Sequence, residues 1–419
     1  MNTIPDNHPE APPKIDALVI GGGIAGLWIL DRLRAAGRTA VLAEASELGN
    51  GQSVCAQGIV HGGLKYALGG VAGEDARHVS TMPELWKNAI VSPNSAESPD
   101  LNTATILSPC TWLWRSDSIM SRIGMVGARL GLQTKPEAIE RAERPDLLRE
   151  APGAVLRVNE PVVEMRSVLH ALCENNSPHI IKVNGPEGIQ ISSLGSRIRQ
   201  ATLHSNESAL TIAPEFVILA AGVGNEGIRT RLGLEQLKTQ RRPLHMVMVK
   251  GLLPEFFGHC VDGNKTRVTI TSSAVTADGH RYWQIGGEIS EQGVSQESHE
   301  LISTARKELA AVLPSLNQSN LEWATYRVDR AEEETSGSSR PDDFSYILDG
   351  EGRTITCWPT KMALAPRLAR EILTLVPALH SENDALISSL AKCSVPSVAS
   401  YPWSPENTNT WIASSDVPA

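Results

Sequence analysis

Apolar residues fall along the chain in two alternating rhythms, and the change from one to the other marks the elements. Ile15 to Ile20 is a short, nearly continuous apolar run with β-branched residues, which predicts a strand buried on both faces. From Ile24 to Ala35 the spacing becomes helical, with Leu27, Leu30 and Leu33 recurring on one side, and Gly37 stands where a C-cap is expected. Thr39 to Ala43 is again a compact apolar strand. Strand, helix and strand within about 30 residues predict a parallel βαβ unit.

Further along, Glu74 to Ala89 has helical periodicity, and Pro83 must either kink that helix or begin a second one. Val91 to Asp100 is a polar loop, placed as a domain crossing. Thr103 to Glu150 predicts a strand around Trp112 and Trp114, a helix near Asp117 to Leu130 and a charged helical stretch from Pro136 to Arg149. Val163 to Leu172 predicts a helix, Ile180 to Ile212 an antiparallel meander, and Phe216 to Gly222 a buried strand ending in small residues.

Leu244 to Lys250, Thr266 to Ser272 and Tyr282 to Gly287 follow one another as strands without intervening helices, which predicts a mostly antiparallel unit. A helix from Glu297 to Leu313 and a strand from Glu322 to Val328 complete it, and Glu332 to Asp343 is a polar connection. Thr354 to Lys361 is a strand and turn. Pro366 belongs in a first helical turn, so the next helix starts near Ala365 and runs to about Leu375. Ser394 to Ala419, rich in Ser, Pro and Asn, reads as a surface tail.

The predicted class is α/β. A discontinuous Rossmann-like domain (14–92, 155–238 and 345–392) carries a mostly antiparallel α+β substrate domain (93–154 and 239–344), with tails at 1–13 and 393–419. A length of 419 residues suits two cores rather than one. The net charge of −9 excludes the basic face that nucleic-acid binding needs. No run approaches the roughly 20 apolar residues of a membrane span, and Met1 to Pro13 lacks the basic and apolar regions of a signal peptide. The 6 cysteines lie far apart, with no C-x-x-C pair and no histidine at ligand spacing, so the expectation is a cytoplasmic protein with reduced thiols and no structural metal.

Gly21, Gly23 and Gly26 have G-x-G-x-x-G spacing between the first strand and its helix. In that pattern one glycine makes the turn, one admits a pyrophosphate to the backbone and one lets the helix pack closely on the strand, with the phosphates at the helix N-terminus. Glu44 closes the second strand about 20 residues on, where a carboxylate accepts hydrogen bonds from a ribose. A βαβ unit without a dinucleotide is the alternative.

After Glu44 come Ser53 and then Ile59-Val60-His61-Gly62-Gly63-Leu64-Lys65-Tyr66, and here the chain resembles the D-amino acid oxidase superfamily, nearest in motif to its glycerol-3-phosphate dehydrogenase branch. The resemblance implies FAD, bound noncovalently by Gly21, Gly23, Ile24, Ala25, Gly26, Glu44, Ala45, Ser53, Gly62, Ala221, Gly222, Lys361 and Met362. It also makes His61 a candidate base, although a histidine bonded to backbone beside the cofactor is the alternative. Lys361 would neutralise reduced flavin or simply precede a helix, and Trp358-Pro359-Thr360 stand where the family carries a glycine pair.

Arg327 and Arg330 are candidates to clamp a substrate carboxylate or phosphate, against ordinary ion pairs. Trp112, Trp114 and Trp283 either wall a substrate pocket or pack in the core. The function implied is an FAD-dependent oxidoreductase that oxidises a small-molecule CH–OH or CH–NH group by hydride transfer to flavin. Its electron acceptor, oxygen, quinone or another, is not specified by these residues. The alternatives are an NAD(P)-dependent oxidoreductase and a flavin-retaining binding or scaffold protein without turnover.

Overall fold

The apolar run at Ile15 becomes strand β1 (Lys14–Ile20), and both of its faces are covered. In this computed structural model the described residues are 11–63, 79–94, 96–115, 136–194, 197–206, 208–235, 239–262, 265–335, 341, 343–349, 351–407 and 409–417. Helix α1 (Ile24–Ala35) has the bounds that its periodicity predicts, and Gly37, at φ 78°, turns the chain at its end. Gly23 offers no side chain to cap the helix. The cap comes from Ser53, whose Oγ accepts from Ile24 N at 3.0 Å. Strand β2 (Ala40–Glu44) returns parallel to β1.

Asp16 is a fully buried carboxylate in an otherwise apolar strand. It accepts from the backbone N–H groups of Thr39 at 2.8 Å, Leu379 at 2.8 Å and His380 at 2.9 Å, which makes its burial tolerable.

The later strands are β3 (Ile106–Ser108), β4 (Thr111–Arg115), β5 (Glu137–Ile139), β6 (Val155–Val158), β7 (Val162–Val163), β8 (Ile180–Lys182), β9 (Ile189–Leu194), β10 (Arg197–His204) and β11 (Ala209–Leu219). They continue with β12 (Thr239–Gly251), β13 (Gly258–Asp262), β14 (Lys265–Ser272), β15 (Arg281–Gly286), β16 (Glu322–Glu333), β17 (Ser345–Asp349), β18 (Thr354–Trp358) and β19 (Ile412–Ala413). The helices after α1 are α2 (Met82–Val91), α3 (Met165–Asn176), α4 (Asn225–Arg231), α5 (Glu288–Gln292), α6 (Ser298–Val312), α7 (Ala365–Leu375) and α8 (Asp384–Leu390).

The first sheet runs β17-β18-β11-β1-β2-β8, parallel from β18 to β8, with β10 and then β9 added antiparallel to β11. Ala17 and Val19 face a core shared with α1, α3 and α7, whereas Ile15, Leu18 and Ile20 face a second core with the β9–β11 meander and α8. The second sheet runs β19-β16-β12-β15-β14-β13-β4-β6-β5, antiparallel except where β13 meets β4. Its core sets Val247, Val249, Ile270 and Ile285 against Leu301, Ala305 and Leu309 of α6. Helix α6 starts on a capping box in which Glu297 and Glu300 each take the other's backbone N–H.

Several expectations change. Of the two readings of Pro83 the second holds: it begins a helix, standing in the first turn of α2, where a missing N–H costs nothing. The helix expected near Asp117 to Leu130 lies outside the described residues. The charged stretch from Pro136 to Arg149 is β5 followed by two single 3₁₀ turns, broken by Pro145. Val155 to Val158 joins the second sheet, and Ile180 to Lys182 is a parallel strand of the first rather than part of the meander. The helix expected from Val163 begins two residues later, capped by Glu164, whose carboxylate accepts from Ser167 N.

The segment from Ser394 is no surface tail. Lys182 N donates to Ser394 O at 2.8 Å, Leu48 N donates to Ser397 O at 2.8 Å while Leu48 O accepts from Ala399 N at 3.0 Å, and β19 pairs with β16, so the segment is tied to both sheets. No helix among the described residues is long and apolar enough to cross a membrane.

Candidate active site

In the first sheet β1 has β2 on one side and β11 on the other, and the loops leaving neighbouring strands at that point part to leave a crevice. Residues following β1 (Gly21 to Ala25), β2 (Ala45 to Glu47), β11 (Ala220 to Gly224) and β18 (Pro359, Met362) line one cavity of about 1030 Å³. Ligand pockets span roughly 300–1,000 Å³, and this one has the size a dinucleotide requires. Its far wall is β16 of the second sheet, through Tyr326 to Asp329 and Ala331.

The cradle depends on close backbone approach. Gly21 has φ 112°, and a Cβ there would sit 2.6 Å from Ala221 Cα. At Gly26 a Cβ would lie 1.9 Å from Gly21 O, so this glycine seats α1 against the turn. Glu44 spans the turn from the other side: Oε2 accepts from Gly22 N at 2.6 Å and Oε1 from Ser46 N at 2.7 Å. The residues present fit a flavin dinucleotide. The N-terminus of α1 faces the cavity for the phosphates, Glu44 is placed for a ribose, and one buried donor awaits an acceptor: Trp358, 1% exposed, lines the cavity, and its indole Nε1 has no hydrogen-bond partner among the described residues.

Near β16 hydrogen bonds fix the polar groups in place. Gln284 Nε2 donates to Tyr326 Oη at 2.8 Å, and Gln57 Nε2 donates to Gln284 O at 3.1 Å. Tyr326 accepts from Gln284, so its own hydrogen is available to an acceptor in the cavity it lines; burial pushes its pKa well above the usual phenol range and keeps that hydrogen in place. Burial likewise pushes the Cys55 and Cys357 thiols up to about 12, so neither lining cysteine supplies a thiolate. A second cavity of about 380 Å³ shares Ala56 with the first and is lined by Gln57, Gln284, Tyr282, Tyr401 and Trp403.

Of the residues singled out in the sequence, Gly21, Gly23, Ile24, Ala25, Glu44, Ala45, Ser53, Ala221, Gly222, Met362 and Arg327 line the main cavity. Gly26, Gly62, Lys361, His61 and Arg330 do not. Lys361 is 7% exposed, in the turn between β18 and α7. Gly62 N donates to Glu160 Oε1 at 2.7 Å. Leu64 to Tyr66 lie outside the described residues.

Arg327 and Arg330 both reach the segment 291–296, and of the two Arg327 alone lines the main cavity. Arg327 donates to Val294 O at 2.7 Å and Gln296 O at 3.0 Å, while Arg330 pairs with Glu291 at 3.0 Å. Trp114 and Trp283 are core residues, with indole N–H groups donating to Val312 O and Pro254 O, both at 3.0 Å, and Trp112 packs on the same core.

His61 Nδ1 lies 3.4 Å from Oε2 of Glu160, a carboxylate in the β6–β7 turn whose side chain is 5% exposed. His259, on β13, brings its ring to 5.2 Å from that of His61. Sequence reading missed Glu160 and His259 because no local spacing connects them to His61. It also missed the donors Tyr326, visible only as a member of a strand, and Trp358, visible only as a departure from a glycine pair.

Fold and crevice together define a dinucleotide-binding protein whose nucleotide cradle faces a second, mostly antiparallel sheet. The chain belongs to the FAD-dependent oxidoreductase (DAO) family, whose model, described as FAD dependent oxidoreductase, matches residues 16–352. It is 37% identical over 362 residues to the probable FAD-dependent oxidoreductase PA4991 of Pseudomonas aeruginosa, covering 85% of this chain and 89% of that protein. The crystal structure of PA4991 superposes with a TM-score of 0.75 at 33% identity, covering 94% of this chain and 98% of that one. Glycine oxidase from Geobacillus kaustophilus follows with a TM-score of 0.63, 17% identity and coverage of 90% and 98%. Dithionite-reduced L-α-glycerophosphate oxidase from Mycoplasma pneumoniae, with FAD bound, gives 0.61, 14%, and 88% and 97%. FAD is therefore the cofactor and oxidoreduction the activity class, rather than nicotinamide chemistry or binding without turnover.

Proposed function

We propose that this protein oxidises a small-molecule CH–OH or CH–NH group, with His61 taking the hydroxyl or amine proton. Bound FAD supplies the acceptor for the hydride that leaves the substrate carbon. The observation that supports the reading best is the pairing of His61 with the buried Glu160. One carboxylate oxygen is fixed by Gly62 N at 2.7 Å, and the other faces His61 Nδ1 at 3.4 Å. A proton on Nδ1 makes Nε2 the basic nitrogen, so the carboxylate selects the tautomer a proton acceptor needs.

Gly21 to Gly23, the first turn of α1, Glu44 and Ser53 would hold the nucleotide half of the cofactor, and Ala221, Gly222 and Met362 would approach its other half. Tyr326 Oη and Trp358 Nε1 would donate to acceptor atoms of cofactor or substrate. The two substrate classes are kept together because the similar structures include both a glycine oxidase and a glycerophosphate oxidase.

Stopped-flow flavin bleaching tests the role of His61. With hydroxy acids, amino acids and polyol phosphates as candidate substrates, holo His61→Ala should be reduced about 10² to 10⁴-fold more slowly than wild type, with FAD retained. A normal reduction rate in the loaded variant removes His61 from the mechanism.

A further inference from the structure

We propose that His61, Glu160 and His259 form a three-ligand site for a divalent transition ion of the zinc class. Their candidate ligand atoms all lie within 4.8 Å of one another, although the residues come from three separate places: the loop after β2, the β6–β7 turn and β13. Two imidazoles and one carboxylate are the donor set of a zinc site that keeps a coordination position open.

The spacing leaves room for an ion between the ligands. A charge-assisted N–H···O contact is about 2.7–2.9 Å long, yet His61 Nδ1 stands 3.4 Å from Glu160 Oε2. Two ligands held about 2.1 Å from a tetrahedral ion lie about 3.4 Å apart, which is the separation of this one pair.

Each buried ligand is also held from behind, as metal ligands are. His259, 2% exposed, has Nδ1 2.8 Å from Thr269 Oγ1, so Nε2 is its ligating nitrogen. Glu160 has Oε1 fixed by Gly62 N at 2.7 Å, which turns Oε2 towards His61. The His61 side chain is 19% exposed and provides the approach for an ion.

Where His61 is the proton acceptor of the proposed reaction, an ion on Nδ1 engages that ring as a ligand, so occupancy of the site slows flavin reduction. This inhibitory consequence rests on the proposed function, whereas the site itself rests on geometry alone.

The test uses oxidised holoenzyme without substrate, so its outcome is independent of the role of His61 in turnover. After dialysis against a chelator, titration with zinc chloride followed by calorimetry and elemental analysis should show one equivalent bound. X-ray absorption at the zinc edge should show nitrogen and oxygen ligands at about 2.0–2.2 Å. Thr269→Val, which removes only the group behind His259, should weaken binding about 10- to 100-fold, and His259→Ala should weaken it further. FAD content and thermal midpoint report whether each variant is folded. Failure of the wild type to bind one equivalent, sulfur in the zinc shell, or wild-type affinity in folded His259→Ala would each overturn the proposal.

Discussion

Glu44 Oε2 accepts a 2.6 Å hydrogen bond from Gly22 N, joining the end of β2 to the glycine turn that follows β1. One carboxylate thus sets the shape of the turn and lines the main cavity. Glu44→Ala should leave the sheet intact and weaken FAD binding about 10- to 100-fold, since a hydrogen bond to a charged group contributes roughly 1.5–3 kcal/mol. Fluorescence titration of apoprotein with FAD measures this, and an unchanged dissociation constant would reduce Glu44 to a brace for the turn.

Gly26→Ala places a methyl group 1.9 Å from Gly21 O, a backbone atom that cannot swing aside. Helix α1 must shift away from the turn, at a cost of about 1–3 kcal/mol or more. Lower thermal stability is expected in the apoprotein itself, together with poor FAD retention. A variant that melts with wild type would contradict the packing described.

Cys55 lines the cavity with its thiol pushed up to about 12 by burial, so it stays protonated at neutral pH. Iodoacetamide at pH 8 should leave Cys55 unmodified in the native protein and alkylate it after denaturation. Acid precipitation should release the flavin to the supernatant, and colour remaining in the pellet would show a covalent link instead.

His245, on β12, is 2% exposed, with Nδ1 3.1 Å from Gly293 O. Burial lowers its pKa below the model-compound value of 6.5, so the folded chain resists a proton that the unfolded chain accepts. Stability from this group is complete above about pH 6.5 and is lost as the pH falls below it. Denaturant unfolding between pH 7.5 and 5 should show this slope. In His245→Gln, which keeps an N–H donor for the carbonyl but does not titrate, the slope should be shallower; an identical slope would assign the pH dependence elsewhere.

The β1–α1–β2 unit was legible because its information is local: apolar period, glycine spacing and a carboxylate at the strand end all lie within one stretch. Glu160 and His259 were not, because their approach to His61 depends on Ile59 bridging Val162 and on β13 pairing with β4, contacts between distant parts of the chain. Arg327 and Arg330 show a different failure. Their proximity in sequence suggested a shared substrate, whereas each guanidinium is engaged by the segment 291–296 of the chain itself. Pro136 to Arg149 misled because its charges suit a helix, while Pro145 favours extended backbone in the residue before it. Trp358 read as a departure from a glycine pair, and its unpartnered indole N–H became meaningful only once a cavity stood beside it.

The segment from Ser394 onwards contributes Ser400, Pro402, Asn407 and Asn409 to the main cavity, and every strand of the first sheet precedes it in the chain. During synthesis the ribosome therefore delivers the glycine cradle hundreds of residues before the wall that completes it. The cavity wall is thus complete only late in synthesis. A chain truncated after about Leu390 should hold FAD only transiently, whereas the full chain, with Ser400, Pro402, Asn407 and Asn409 in place, retains it.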